Sequence, residues 1–129
     1  MSVETTPDLT VARRLLEAAD TDVVAFFDFF TDETVFRMAN SDVVVGKDAI
    51  TAWVGRYLGG VAGMRHEILE EFYNEDTAAL RVEVTYTMTS GESFTLPAVT
   101  RTRIRGDKVA EYLIYMDPSP VTGTSQAKK

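Results

Sequence analysis

Apolar positions along this chain follow two different spacings, and the change from one to the other falls near residue 60. Leu9, Ala12, Leu16 and Ala19 recur every three to four residues, as the buried face of a helix does. Thr6 as cap, Pro7 at the first helical position and Asp8 near the positive helix end predict a helix from there to about Ala19. Asp20-Thr21-Asp22 offers the next cap, and Val23 to Phe30 is so apolar that a short buried helix is expected. Thr34 to Ala39 reads as a strand, Asn40-Ser41-Asp42 as a turn, and Val43 to Val45 as a brief strand stopped by Gly46. A third helix runs from Lys47 or Asp48 to Leu58, with Ile50, Trp53, Val54 and Tyr57 on one face and Gly59-Gly60 as its stop.

Beyond this point the period is two. Met64 to Tyr73, Thr77 to Met88, Ser93 to Arg105 and Val109 to Met116 read as strands, and the breaks between them are short enough for hairpins. Helices first and a long meander afterwards predict an α+β domain, with helices covering one face of a curved, mostly antiparallel sheet. One domain over residues 1–118 and a flexible tail over 119–129 are expected, since 129 residues suit a single core.

Composition narrows the class of partner. Hydrophobic residues make up 45% and charged residues 26%, an ordinary balance for a folded domain. Thirteen basic against twenty acidic side chains leave a net charge of −7, which argues against binding nucleic acid. With no cysteine there is no thiolate nucleophile or thiolate metal site. One histidine and no D-x-D-x-D-G or H-E-x-x-H pattern leave no set with metal-ligand spacing, so neither metal nor cofactor is expected. The first residues lack a basic flank and an apolar core, and no run is long enough to cross a bilayer, so a cytoplasmic protein without membrane contact is expected. Gly59-Gly60-Val61-Ala62-Gly63 lacks the spacing of a phosphate loop and is explained by the helix stop.

The element order, the stretch Val35-Phe36-Arg37-Met38-Ala39-Asn40, the run Val44-Val45-Gly46-Lys47-Asp48-Ala49-Ile50 and the closing Tyr112-Leu113-Ile114-Tyr115-Met116-Asp117 resemble the SnoaL-like branch of the nuclear transport factor 2 superfamily. The resemblance spans Thr6 to Pro118 and implies a cone, in which the sheet wraps an apolar pocket closed by the helices. It also implies a homodimer through the outer sheet face, and a hydrophobic small molecule as ligand or substrate. Relatives include ketosteroid isomerase, polyketide cyclases, scytalone dehydratase, limonene epoxide hydrolase and non-catalytic proteins. Carried over residue by residue, most of that chemistry is missing. The isomerase base falls at Arg37, its tyrosine near Arg14 and its protonated aspartic acid near Pro97. The cyclase aspartate falls at Ile114. Of the epoxide hydrolase set, only the arginine-acid pair has counterparts, in Arg81 and Glu83, while its water-holding tyrosine and asparagine fall at Phe36 and Met38.

Arg81 and Glu83 share one face of a strand, where a guanidinium would keep a carboxylate ionised for use as a base. The opposite face carries Leu80, Val82, Val84 and Tyr86. Periodicity alone buries that apolar row and leaves Arg81 and Glu83 in water. The resemblance allows the reverse, with the apolar row at a dimer interface and Glu83 in the cone as base or water activator. His66, the single histidine, is the second candidate, because its ordinary pKa suits proton transfer near neutrality; scytalone dehydratase keeps a histidine near this strand. Against catalysis stands the plainer role of a histidine hydrogen-bonded at the sheet margin. The pocket wall implied by the resemblance consists of Phe26, Phe30, Trp53, Leu96, Ala98, Tyr112, Ile114 and Met116. Asp28 is expected in solvent, and Arg101, Arg103 and Arg105 form a charge ladder facing Glu67 and Glu71. The function expected is cofactor-free acid-base chemistry on a polycyclic or terpenoid-like substrate, of isomerase, cyclase, dehydratase or epoxide hydrolase type. The alternative is a non-catalytic ligand-binding or protein-association module.

Overall fold

The helical stripe of the N-terminal segment folds as α1 (Thr10–Thr21), burying Val11, Ala12, Leu15, Leu16 and Ala18. The computed structural model describes residues 6–122. Helix α1 starts later than Thr6 because Asp8 supplies the capping oxygen: its Oδ1 accepts the Thr10 N–H at 3.1 Å, and Arg14 holds the same carboxylate at 2.7 Å. Asp22 caps α2 (Val23–Phe27) by accepting from Val24 N–H and Ala25 N–H, each at 3.2 Å. Only Phe26 of this five-residue helix is buried, while Val23 and Val24 are exposed. The all-round burial expected there is not observed, because so short a helix has one inward face and the chain passes at once into a strand.

Strands β1 (Phe30–Met38), β2 (Val44–Val45), β3 (Val61–Asn74), β4 (Thr77–Met88), β5 (Ser93–Arg105) and β6 (Lys108–Tyr115) form one sheet in the order β2-β1-β6-β5-β4-β3. All neighbours are antiparallel except β1 and β6, which run parallel. Bulges in β3 between Ile68 and Glu70, and between β5 and β6 near Ile104, bend the long strands so that the sheet wraps around the helices. The α+β architecture with a curved sheet is the one the sequence predicts. Helix α3 (Lys47–Tyr57) crosses the inner face and buries Ile50 and Val54. Its entry needs glycine: Gly46 has φ +97°, and a Cβ there would lie 3.2 Å from the carbonyl oxygen of Asp32. Ser119–Thr122 form a short α4 where the sequence suggests loose tail, and the rest of that tail lies outside the described residues.

Register settles which face of β4 looks inward. Val84 sits opposite His66 on β3 and Leu96 on β5, and Val82 sits opposite Ile68 and Ala98. Ala78, Leu80, Val82, Val84 and Tyr86 are all buried against the helices. This row is therefore the inner wall of the cone and not a dimer interface, as simple alternation requires. Among the described residues no helix is long and apolar enough to cross a membrane.

Candidate functional site

Asp20 comes from α1 and His66 from β3, and the two meet where the helix packs on the sheet. Asp20 follows the buried Leu16 by four residues, so it lies on the sheet-facing side of α1 in its last turn. Its Oδ2 accepts the backbone N–H of His66 at 2.8 Å, and its Oδ1 lies 2.6 Å from His66 Nδ1. The two side chains are only 16% and 9% exposed. Two contacts to one carboxylate fix both the strand and the ring. With Asp20 ionised, the short contact requires the proton on Nδ1, which leaves Nε2 of the neutral imidazole as a proton acceptor. Near the other end of β3, Arg13 of α1 forms an ion pair with Glu71, a second tie between the same two elements.

His66 lines a cavity of about 50 Å³ between the helices and the sheet. Six aromatic residues, Phe26, Phe36, Trp53, Tyr57, Tyr86 and Tyr112, form much of its wall. Trp53 stacks on Tyr57 with ring centres 5.5 Å apart and packs on Phe36 at 5.2 Å. Among the described residues the wall contains no lysine, arginine, aspartate or glutamate, and His66 is its one imidazole. A second, wider hollow of about 440 Å³ shares Met38, Trp53, Tyr57 and Met116 with it and is lined further by Asp117, Pro118 and Thr122. Through these shared residues the wider hollow, an outer vestibule, adjoins the inner chamber.

The three tyrosines are kept protonated at neutral pH. Burial pushes the Tyr112 hydroxyl up, and the nearby Asp20 carboxylate pushes it further. Tyr86 is raised first by burial and then by its partner Tyr57, whose hydroxyl lies 3.1 Å away. Tyr57 is raised by burial, partly offset by that hydrogen bond. Each hydroxyl is thus a hydrogen-bond donor rather than a base. Raised folded-state values also predict the alkaline behaviour. Above the ordinary tyrosine value of 10.0 the unfolded chain loses protons that the folded chain retains, so stability is intact below that pH and falls as pH rises beyond it. Thermal unfolding between pH 8 and 11 should show a decline setting in near pH 10 that is smaller in Tyr86→Phe; equal slopes in the two proteins would contradict the assignment.

Several residues singled out in the sequence are elsewhere. Arg81 and Glu83 are exposed on the outer sheet face, Arg81 pairing with Glu70 of β3 at 2.6 Å and Glu83 standing opposite Glu67. Neither reaches the cavity, because β4 presents its apolar row there, and Glu83 is not a base acting in the cone. Phe30 is buried but packs behind Phe26 and Tyr112, with ring centres 5.1 and 6.3 Å away, rather than on the cavity wall. Leu96 is partly buried against the core, also off the wall. Phe26, Trp53, Ala98, Tyr112, Ile114, Met116 and His66 do line it. Asp28 faces solvent and pairs with Lys47 at 3.1 Å. Arg101 pairs with Glu111 of β6, since β5 neighbours β4 and β6 and never meets β3. Among the described residues no three of histidine, cysteine, aspartate and glutamate converge on a metal-sized site. Sequence reasoning missed Asp20, assigned there to the cap of α2. Its signal was an acid at the negative end of a helix, four residues after a core leucine, where the dipole disfavours it.

Residues 12–112 match the family described as SnoaL-like domain. The chain belongs to the SnoaL-like family. The superfamily is known for binding hydrophobic small molecules and for catalysis on them. Among solved structures, a Jannaschia sp. protein bearing the provisional name SnoaL-like polyketide cyclase is similar at 15% identity and TM-score 0.76, over 100% of this chain and 98% of that one. A Shewanella denitrificans protein with the same provisional name is similar at 16% identity and TM-score 0.75, over 93% and 97% of the two chains. A Catenulispora acidiphila protein of ketosteroid isomerase-like fold, solved with trimethylamine, is similar at 19% identity and TM-score 0.75, over 95% of each. These likenesses share the fold of this SnoaL-like domain. No curated protein matches it in sequence.

Proposed function

We propose that this SnoaL-like domain is a cofactor-free acid-base enzyme acting on a neutral, hydrophobic small molecule, with His66 as the proton-transfer group and Asp20 as the residue that orients it. The observation that carries this reading is the 2.6 Å His66–Asp20 contact at the wall of an otherwise apolar, aromatic cavity. His66 Nε2 takes a proton from a carbon next to a carbonyl, and the C–H electron pair becomes the enolate double bond as the carbonyl pair moves onto oxygen. Asp20 stabilises the imidazolium that forms, and a protonated tyrosine such as Tyr112 donates to the enolate oxygen. Return of the proton to another carbon is isomerisation, and expulsion of a β-hydroxyl is dehydration. A chamber of about 50 Å³ is too small for a bicyclic ketone alone, so such a substrate extends past Trp53 and Met116 into the wider hollow that these residues also line. Deuterium exchange at C2 of 1-tetralone in D₂O, followed by NMR, tests the chemistry without knowledge of the natural substrate: exchange above the buffer rate is expected, and its absence from the wild-type protein would count against catalysis.

A second reading, a binding module for a small amine, is favoured by the ring-lined wall, which suits an ammonium group, and by the trimethylamine held by the Catenulispora relative. Titration of Trp53 fluorescence with trimethylammonium and with 1-tetralone separates the two. Binding of the amine alone supports the module.

We further propose a homodimer through the outer sheet face. Phe72 and Tyr115 are 57% and 56% exposed there, beside the part-exposed Val99. The same face carries acidic Glu67 and Glu83 and basic Arg103 and Arg105, which a two-fold contact can match against each other. A stable contact of this kind buries roughly 1,600 Å² in total. Light scattering at micromolar concentration should give twice the chain mass, and Tyr115→Glu should return it to the monomer; a monomeric wild-type protein refutes the proposal.

A further inference from the structure

We propose that Thr100 anchors the end of the occupant remote from His66, so that the occupant carries a second oxygen function there; this rests on the small-molecule reading above. Thr100 is 1% exposed, lines the cavity, and its Oγ1 has no hydrogen-bond partner in the protein. A buried hydroxyl left unpaired is uncommon in a native fold, because its desolvation is uncompensated. This protein satisfies such a group where it can. Thr34 is equally buried, and its Oγ1 donates to the Val109 carbonyl at 2.5 Å while accepting the Thr31 N–H at 2.8 Å. At Thr100 no such partner is present: β5 runs between Leu80 of β4 and Ile114 of β6, and neither neighbour offers the hydroxyl an acceptor. Its neighbour on the same face, Ala98, also lines the cavity.

Register places Thr100 far from the proton-transfer group. On β4 the residue opposite His66 is Val84 and the residue opposite Thr100 is Leu80. Four residues along a strand and two strand spacings across amount to about 16 Å on a flat sheet, and less across a curved one. The threonine side chain is short and stays at its own end of the strand, unlike Tyr112, whose long side chain comes under the influence of Asp20, so His66 and Thr100 address different atoms of one ligand. With no charged side chain on the wall among the described residues, the remote group is neutral: a hydroxyl, a carbonyl or an ether.

A matched pair of ketones tests this. Calorimetric titration of the wild-type protein with 1-tetralone and with 6-hydroxy-1-tetralone should give about three- to tenfold tighter binding of the hydroxylated ketone, the scale of one neutral hydrogen bond. Thr100→Val keeps the shape, removes the hydroxyl and should abolish the preference, whereas Thr100→Ser should retain it. Thr102 is the control: its Oγ1 is also unpartnered and buried, but it does not line the cavity, so Thr102→Val should leave the preference intact. If both ketones bind and Thr100→Val leaves their ratio unchanged, or if the wild-type protein shows no preference, the anchoring role is refuted while the cavity reading stands. If neither ketone binds the wild-type protein, the cavity reading fails first and takes this one with it.

Discussion

Glutamine at position 66 is expected to lower tetralone deuterium exchange by about a hundredfold or more, the usual contribution of a positioned general base. Glutamine keeps much of the volume and can still hydrogen-bond Asp20, but it cannot accept and return a proton at neutral pH. Asp20→Asn should act on the same step with a smaller loss, because an amide no longer demands the proton on Nδ1 and no longer offsets the charge of the imidazolium. The double variant should therefore be little worse than His66→Gln alone, as expected for two groups that act as a unit. Binding of 1-tetralone, followed through Trp53, should survive all three changes, which separates lost chemistry from a lost pocket. Glu83→Gln is the control on the outer face and should exchange at the parent rate. Parent-rate exchange by His66→Gln would end the proposed role of the His66–Asp20 pair.

Phe36→Ala should be the most damaging single change to stability. Phe36 is 1% exposed and its ring contacts Trp53 at 5.2 Å and Tyr112 at 6.0 Å, joining α3 to the β1–β6 pair. Removing a buried phenylalanine costs about 3–5 kcal/mol, from transfer and cavity terms together. Domains of this size are stable by only about 5–15 kcal/mol, so the variant should unfold at markedly lower urea concentration, with a midpoint temperature lower by more than about 10 °C. Phe36→Leu should lose far less, since most of the volume is kept. A loss below about 1 kcal/mol in Phe36→Ala would mean that the ring does not hold the cavity wall. The position matters for the site as well, because an enlarged chamber should admit bulkier ketones than the parent protein does.

Local patterning carried most of the fold. The period-two alternation from Met64 onward bounded β4 and β5 at Thr77–Met88 and Ser93–Arg105, the residues at which they are observed, because turn residues and side-chain alternation are properties of neighbouring positions. Gly46 marked the entry to α3 for the same local reason: the backbone there requires a positive φ. The wall residues Trp53, Ala98, Tyr112, Ile114 and Met116 were legible only through the family resemblance, which turns their faces toward the cone.

What the chain's order of residues left open was every question that depends on two distant elements at once. The face of β4 that looks inward follows from its register with β3 and β5, and that register placed Glu83 in solvent although the strand was correctly bounded. Asp20 looked like part of a cap because its local surroundings are those of a helix end. Only the packing of α1 on β3 brings it within 2.6 Å of a ring 46 positions away. Periodicity reports which side of an element is buried, whereas a site is made where the buried sides of separate elements meet. The Asp20–His66 pair and the unpartnered hydroxyl of Thr100 are both of that second kind, fixed by the curvature of the sheet around the helices.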